Sequence, residues 1–470
     1  MLPSQRKICI LVLSLFAWTR NVAAEESALT PEKARVLAQE AYIAAYAPVQ
    51  NYAKQIPQAF DRRNLLHQGT NTLSNVPILL NYYVAMAANI ASPNHDTLYS
   101  RGVLDLRQQP VVVSAGPVPD PNRYYSLALY DLDTNVLPYI STLTNDNRGG
   151  TYLVLGPDNT EPADTSAFSG VIRSPSRLVT ILGRVQAFGN FDLVEPVKVQ
   201  RNFKIQTLSA YQGADAPHSN IADLPAYDEQ AAQGLGFLRY ANLVFSLQPP
   251  DAALATQLAP IHVGAGQDFD TKDFSEDILA AIQQGLEDGA AAVQKASLTR
   301  SLVRNGWTEM DPSVLSEEGS FGTDYLTRAA VAYSLIYMNT RKEAWYALAY
   351  VDGSGATLNG ENDYRLHFDA GTLPPSRFFW SLTAYDASNH LFFNSLTGRY
   401  SIGSNTEGLC YNDDGSLDIT IRAQAPWGSK QLANWLPVGQ GKPFYLILRS
   451  YGPGESILDA TYVAPPVERQ

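Results

Sequence analysis

The sequence predicts a mainly β protein with a helical middle region, built as two sheet-based modules bridged by helices. Three observations carry that expectation. Short alternating or continuous apolar runs, punctuated by Gly, Pro, Asn and Asp, occupy 71–200 and 343–470. Between them, over 201–342, the apolar residues change to helical spacing. Tyr (26), Gly (32) and Pro (29) are plentiful, as a β-rich chain with many turns requires.

At 470 residues the chain exceeds one ordinary core, so two or three domains are expected. Its 45% hydrophobic and 17% charged content is that of a globular chain, not a disordered one. A net charge of -12 without any Lys/Arg cluster argues against a nucleic-acid partner or an anionic membrane surface.

Residues 1–24 read as a signal peptide. Arg6 and Lys7 form the positive end, Ile8 to Trp18 the apolar region, and Val22-Ala23-Ala24 the small residues of a cleavage site before Glu25. The apolar run is about half the ~20 residues a membrane span needs. No later stretch is apolar for long enough, so no integral membrane segment is expected after signal removal. A periplasmic or secreted location follows, and the lack of any Asn-x-Ser/Thr sequon suits the periplasm. Cys9 leaves with the signal. Cys410 alone cannot form an internal disulfide, and its place between Leu409 and Tyr411 reads as a buried small hydrophobe in a strand-like run.

Residues 25–70 form an N-terminal helical segment. Thr30 is its N-cap, Pro31 its first helical residue and Glu32 an acid in the first turn. Ala34, Leu37, Ala38, Ala41, Tyr42 and Ala45 keep helical spacing, and Pro48 is expected to end it. A turn at Pro93-Asn94 then leads into a strand. From Leu98 the side chains alternate: Leu98, Ser100, Gly102, Leu104 and Leu106 on one face, Tyr99, Arg101, Val103 and Asp105 on the other. Further strands are expected near 111–113, 124–131, 151–155 and 178–185, a sandwich spanning 71–200. In the helical insertion 201–342, helices are expected over 227–245, 275–293 and 325–337. After 343 the strand pattern returns near 343–351, 378–385, 417–421 and 444–448, and the strand number suits a jelly-roll sandwich over 343–470.

Several motifs in one order point to a family. Pro93-Asn94-His95-Asp96-Thr97-Leu98-Tyr99-Ser100, Leu104-Asp105-Leu106 and Arg123-Tyr124-Tyr125 resemble the bacterial domain of unknown function 1254. Tyr364-Arg365-Leu366-His367-Phe368, Phe379-Trp380-Ser381-Leu382-Thr383-Ala384-Tyr385-Asp386, Arg399-Tyr400-Ser401-Ile402, Asn434-Trp435-Leu436-Pro437 and Leu448-Arg449-Ser450-Tyr451-Gly452-Pro453 resemble its partner, domain of unknown function 1214. The resemblance implies an immunoglobulin-like β-sandwich at the N-terminal side, a helical region, a C-terminal jelly roll, and export. It implies no reaction, so no functional residue is carried over. His95 departs from the family pattern, where Asn is common.

Asn94, His95, Asp96, Thr97, Tyr99 and Arg101 can form a polar site at the mouth of a sheet. His95 and Asp96 are the candidates for general-base work and Arg101 for anion contact, because His beside Asp is the pairing that orients a base. Asn94 and Tyr99 are candidate ligand contacts. Local bonding is what these residue types usually do, so the favoured reading is a turn whose side chains bond local backbone, with Arg101 ion-paired. Arg377, Trp380, Trp435 and Arg449 bring aromatic faces beside guanidiniums, which suits a sugar or planar ligand, or else strand packing. His67, His95, His218, His262, His367 and His390 show no metal-ligand spacing, so no metal site and no cofactor are assigned. There is no Gly-x-Ser-x-Gly elbow and no Gly-rich phosphate loop before a helix. Two functional readings stay open: an exported hydrolase-like enzyme acting on a small organic molecule, and a non-catalytic periplasmic ligand-binding or assembly protein. The partners left open are a small molecule and a second copy of the chain. A concave site shared by residues 94–101 and the C-terminal module would favour the first reading.

Overall fold

The computed structural model describes residues 29–63, 67–88, 90–214, 224–299, 301–314, 316, 319–395 and 397–470. The expected signal peptide and His218 lie outside these residues. Among the described residues the fold is β-rich, with four sheets and a helical middle region.

The helix Pro31–Phe60 begins where the caps place it, with the Thr30 hydroxyl accepting from the Lys33 amide. It does not end at Pro48. Both Pro48 and Pro57 lie inside it. Pro48 cannot donate to the Ala44 carbonyl, and the Arg328 guanidinium takes that place at 3.1 Å. The helix also runs against Glu276–Thr299 along a seam of small residues. A Cβ on Gly285 would collide with the Arg35 carbonyl, and one on Gly289 would come within 2.8 Å of Tyr42. These helices, with Phe237–Leu247 and Ala252–Leu258, enclose one apolar core.

The N-terminal β part pairs two sheets. One has five strands in the order Ser74–Val76, Thr97–Asp105, Leu178–Gln186, Tyr125–Tyr130 and Ile140–Ser141. The other runs Gly170–Arg173, Gly150–Leu155, Val111–Ala115 and Lys204–Thr207. Leu104, Leu127, Leu129, Ile181 and Val185 of the first pack on Val111, Val113, Val154 and Ile172 of the second. The C-terminal β part repeats the plan. A six-stranded sheet (Ser301–Arg304, Trp307–Met310, Ala344–Ala349, Phe444–Pro453, Ser376–Asp386, Ser401–Gly403) covers a four-stranded one. Trp345, Ala347, Leu382, Leu446 and Leu448 meet Leu366, Phe368, Ile419 and Ile421 in that core.

Three differences from the sequence reading concern local setting. The strands Ser301–Arg304 and Trp307–Met310 come from the stretch expected to be helical, yet extend the C-terminal sheet. Lys204–Thr207 likewise pairs with Val111–Ser114 of the N-terminal part. Cys410 is half-buried in a loop, not a strand, with its Sγ beside the Gly408 carbonyl. No helix among the described residues is long and apolar enough to cross a membrane.

The two β parts meet through the faces turned away from their cores. Tyr99, Arg184 and Tyr130 on the five-stranded sheet confront Tyr346, Arg449 and Tyr451 on the six-stranded one. The joint is polar: Tyr130 Oη donates to the Tyr337 carbonyl, Asn339 Nδ2 donates to Tyr346 Oη, and Tyr124 Oη donates to Glu343.

Candidate functional site

The Pro93-Asn94 turn stands at one edge of this joint. Ser92 adopts φ 48°, and the Asn94 side-chain oxygen accepts from the Asp96 amide at 2.7 Å. This is the local bonding that Asn in a turn supplies. The remaining bonds are long-range. Asn94 Nδ2 donates to Tyr451 Oη at 2.8 Å, and Tyr385 Oη donates to the Pro93 carbonyl at 2.5 Å.

Asp96 reaches the C-terminal part directly. Its carboxylate accepts from Ser381 Oγ at 2.6 Å and Ser401 Oγ at 2.8 Å. Ser381 and Ser401 sit on strands that pair with each other, Ser381 opposite Gly403 and Thr383 opposite Ser401, so their hydroxyls converge on one carboxylate. His95 is held on both sides. The Leu80 carbonyl, 2.6 Å from Nδ1, can only accept, so Nδ1 carries the proton. Nε2 lies 2.8 Å from Asn190 Oδ1, and Tyr400 packs edge-on at 4.9 Å.

His95 and Asp96 open into a cleft of about 290 Å³ shared by the two β parts. Phe188, Asn190, Trp380 and Glu407 supply further walls, and Phe191 stands 94% exposed beside it. The Ala187–Asp192 loop is clamped: Arg123 donates to Asp192 at 2.6 Å and to the Gln186 carbonyl, and its guanidinium lies 4.3 Å from the Phe188 ring centre. The cleft therefore joins two carboxylates, Asp96 and Glu407, one imidazole, the Arg399 guanidinium, amide groups and aromatic surface. That mixture holds a small polar organic molecule, with ring faces for its apolar part.

Of the sequence-derived candidates, His95, Asp96 and Trp380 come together here. Arg449 lies behind Asp96 and is spent on protein: it donates to Thr383 Oγ1 at 3.0 Å and Tyr385 Oη at 2.8 Å. Burial opposes its charge, but Tyr385, Tyr451 and Asp96 around it hold its pKa above the ordinary range. Tyr99 lies under the Arg184 guanidinium at 5.5 Å, and Arg101 is on the far side of the joint beside Arg184. Trp435 gives its indole N–H to the Arg422 carbonyl, and Arg377 is exposed near Asp146. Ser381, Ser401, Asn190 and Glu407 were not singled out from sequence. Ser381 and Ser401 stood inside the quoted motifs, but nothing in a linear pattern distinguishes a cleft serine from a strand serine. Among the described residues no three His, Cys, Asp or Glu side chains are grouped to hold a metal. In the cleft, the hydroxyls of Ser381 and Ser401 point to Asp96 rather than to the imidazole.

Comparison with known proteins agrees with the motifs. Residues 71–207 match the family described as protein of unknown function (DUF1254), and residues 343–455 match protein of unknown function (DUF1214). The crystal structure of the VPA0106 protein from Vibrio parahaemolyticus is similar over 93% of this chain and 100% of its own, with TM-score 0.73 and 24% identity. A putative uncharacterized protein from Burkholderia cenocepacia aligns over 93% of this chain and 86% of its own, with TM-score 0.42 and 13% identity. No curated protein matches.

Proposed function

The chain belongs to the family that pairs domain of unknown function 1254 with domain of unknown function 1214, and from that premise we propose that it is an exported small-molecule-binding protein. The cleft of about 290 Å³ between the paired parts is the observation that carries this reading. Its volume suits a ligand of metabolite size, and its walls mix donors, acceptors and ring faces. The immunoglobulin-like and jelly-roll descriptions of the two β parts, and the periplasmic location, belong to the same proposal. Export rests on the basic and then apolar start, and cleavage after Ala24 is its signature.

A concave site shared by residues 94–101 and the C-terminal part is what the hydrolase-like reading calls for, but the bonding inside the cleft favours binding over hydrolysis. A hydrolase-like site needs a base aimed at a nucleophile or water. Here both nitrogens of His95 have protein partners, and the Asp96 carboxylate is occupied by two serines.

A thermal-shift screen of metabolites on the purified chain tests the proposal, because a ligand of the native state raises its melting temperature. A hit should lose its shift in Asn190→Ala and Glu407→Ala, two exposed positions whose loss leaves the cores intact. A hit whose shift is unchanged in both variants binds elsewhere and defeats the assignment of the cleft.

A further inference from the structure

In the motif Arg399-Tyr400-Ser401-Ile402, every side chain but the first has a place in the protein. Tyr400 packs edge-on against His95 at 4.9 Å, Ser401 Oγ donates to Asp96 at 2.8 Å, and Ile402 is fully buried in the C-terminal core. Arg399 lines the cleft between the two β parts.

Its guanidinium is held from one side only. Nη1 donates to the carbonyls of Leu432 at 3.1 Å, Ala433 at 2.9 Å and Trp435 at 3.1 Å. Leu432 and Ala433 end the helix Ser429–Ala433, where an arginine can bond the outward carbonyls. These contacts fix the guanidinium plane and leave its side edge, Nε and Nη2, over. Neither nitrogen has a hydrogen-bond or ion-pair partner among the described residues, and neither is sealed from water, although the residue is half-buried. No carboxylate among those residues stands within ion-pair distance. Asp96 is bound by Ser381 and Ser401 with Arg449 behind it, and Glu407, an exposed residue of the cleft wall, makes no ion pair. Burial lowers the Arg399 pKa with no neighbouring charge to oppose it.

A half-buried cation with a free, oriented fork is costly until an anion meets it. Ring surface lines the same cleft: Trp380, Phe188 and Phe191, the last two 40% and 94% exposed. We propose, resting on the cleft as a ligand site, that its ligand is a monocarboxylic acid with an apolar or aromatic body, its carboxylate accepting from Nε and Nη2 of Arg399. One fork matches the two oxygens of a planar carboxylate. A phosphoryl dianion would bring a second charge beside Asp96 and Glu407, and the described wall holds no second cation to meet it.

Calorimetric titration of the full chain with 3-phenylpropionate, 3-phenylpropionamide, acetate and phenyl phosphate tests this. The acid should bind at least about tenfold tighter than the amide, which keeps the ring and loses the charge. It should also bind tighter than acetate, which keeps the charge and loses the body, and tighter than phenyl phosphate. These comparisons use the parent chain, so they stand even where a variant fails to fold. Arg399→Gln should weaken the acid at least about tenfold and leave the amide unchanged. Arg399→Lys, which keeps the charge without the fork, should fall between parent and Arg399→Gln. No binding of the acid, equal affinity for acid and amide, a preference for acetate or phenyl phosphate, or an undiminished acid affinity in folded Arg399→Gln overturns the proposal. The cleft itself fails separately. A metabolite whose thermal shift survives Asn190→Ala and Glu407→Ala defeats both readings, whereas one that loses its shift there but keeps it in Arg399→Gln defeats the acid alone.

Discussion

Asp96 shows how a single side chain acquires a role that its neighbours in sequence do not announce. Its two serine partners lie 285 and 305 residues away, so the carboxylate ties the N-terminal turn to the C-terminal sheet. Hydrogen bonds to a charged acceptor contribute about 1.5–3 kcal/mol each. Asp96→Ala should therefore lower stability by about 2–4 kcal/mol in urea unfolding. A change below about 0.5 kcal/mol would mean that the serines re-pair without cost. Glu343 makes the complementary case. It is 2% exposed, and burial raises its pKa to about 7 despite the Tyr124 and Ser141 hydroxyls, which favour the ionised form. The native state holds this proton more tightly than the unfolded chain does. Its contribution is complete below the ordinary glutamate pKa and is lost as pH rises through about 7. Glu343→Gln should remove that slope and raise stability at pH 8 by a few kcal/mol at most, on the scale of about 1.4 kcal/mol per pH unit. Denaturant midpoints at pH 5 and pH 8, in parent and variant, measure both effects.

At the level of elements, the seam between Pro31–Phe60 and Glu276–Thr299 rests on residues without bulk. Ala38 faces Gly285 and Tyr42 faces Gly289, and the backbones approach so closely that a Cβ at Gly285 meets the Arg35 carbonyl. Replacing a helical glycine ordinarily gains helix propensity, about 1 kcal/mol for Ala. Here the collision is with backbone, which cannot swing aside, so the steric cost wins. Gly285→Val should destabilise by about 1–3 kcal/mol, read as a lower melting temperature with unchanged helix content by circular dichroism. A neutral outcome would show that the helices can separate freely. Pro48 belongs to the same scale. Its sequence signature is that of a helix end, and the helix passes through it because Arg328, from another helix, satisfies the carbonyl that proline leaves open.

For the molecule as a whole, the joint between the β parts is a buried polar layer, not a hinge. Tyr124 to Glu343, Asp96 to Ser381, and Asn94 to Tyr451 all cross it. Removing either part would strand these groups without partners, a cost of about 1–3 kcal/mol for each. Heating should accordingly unfold the chain in one calorimetric transition. Two separated transitions would show that each β part stands by itself.

Much of the local structure was legible in the chain. Thr30-Pro31-Glu32 marked a helix start, alternation from Leu98 marked a strand with two unlike faces, and the Pro93-Asn94 turn was visible from its residue types. Those features depend on neighbours a few residues apart, which a linear pattern records. Partners were not legible. Alternation says that Tyr99 and Arg101 share a face, but not that Arg184 crosses to it. Nor does it say that His95 and Asp96 turn toward a cleft while Arg101 turns away from it. By itself the sequence determined where the first helix starts, that the two flanking parts are built of strands, and which family the chain joins. The tertiary structure alone decided what covers each face, because the charges and hydroxyls of the joint come from segments hundreds of residues apart, and only packing brings them within hydrogen-bonding distance.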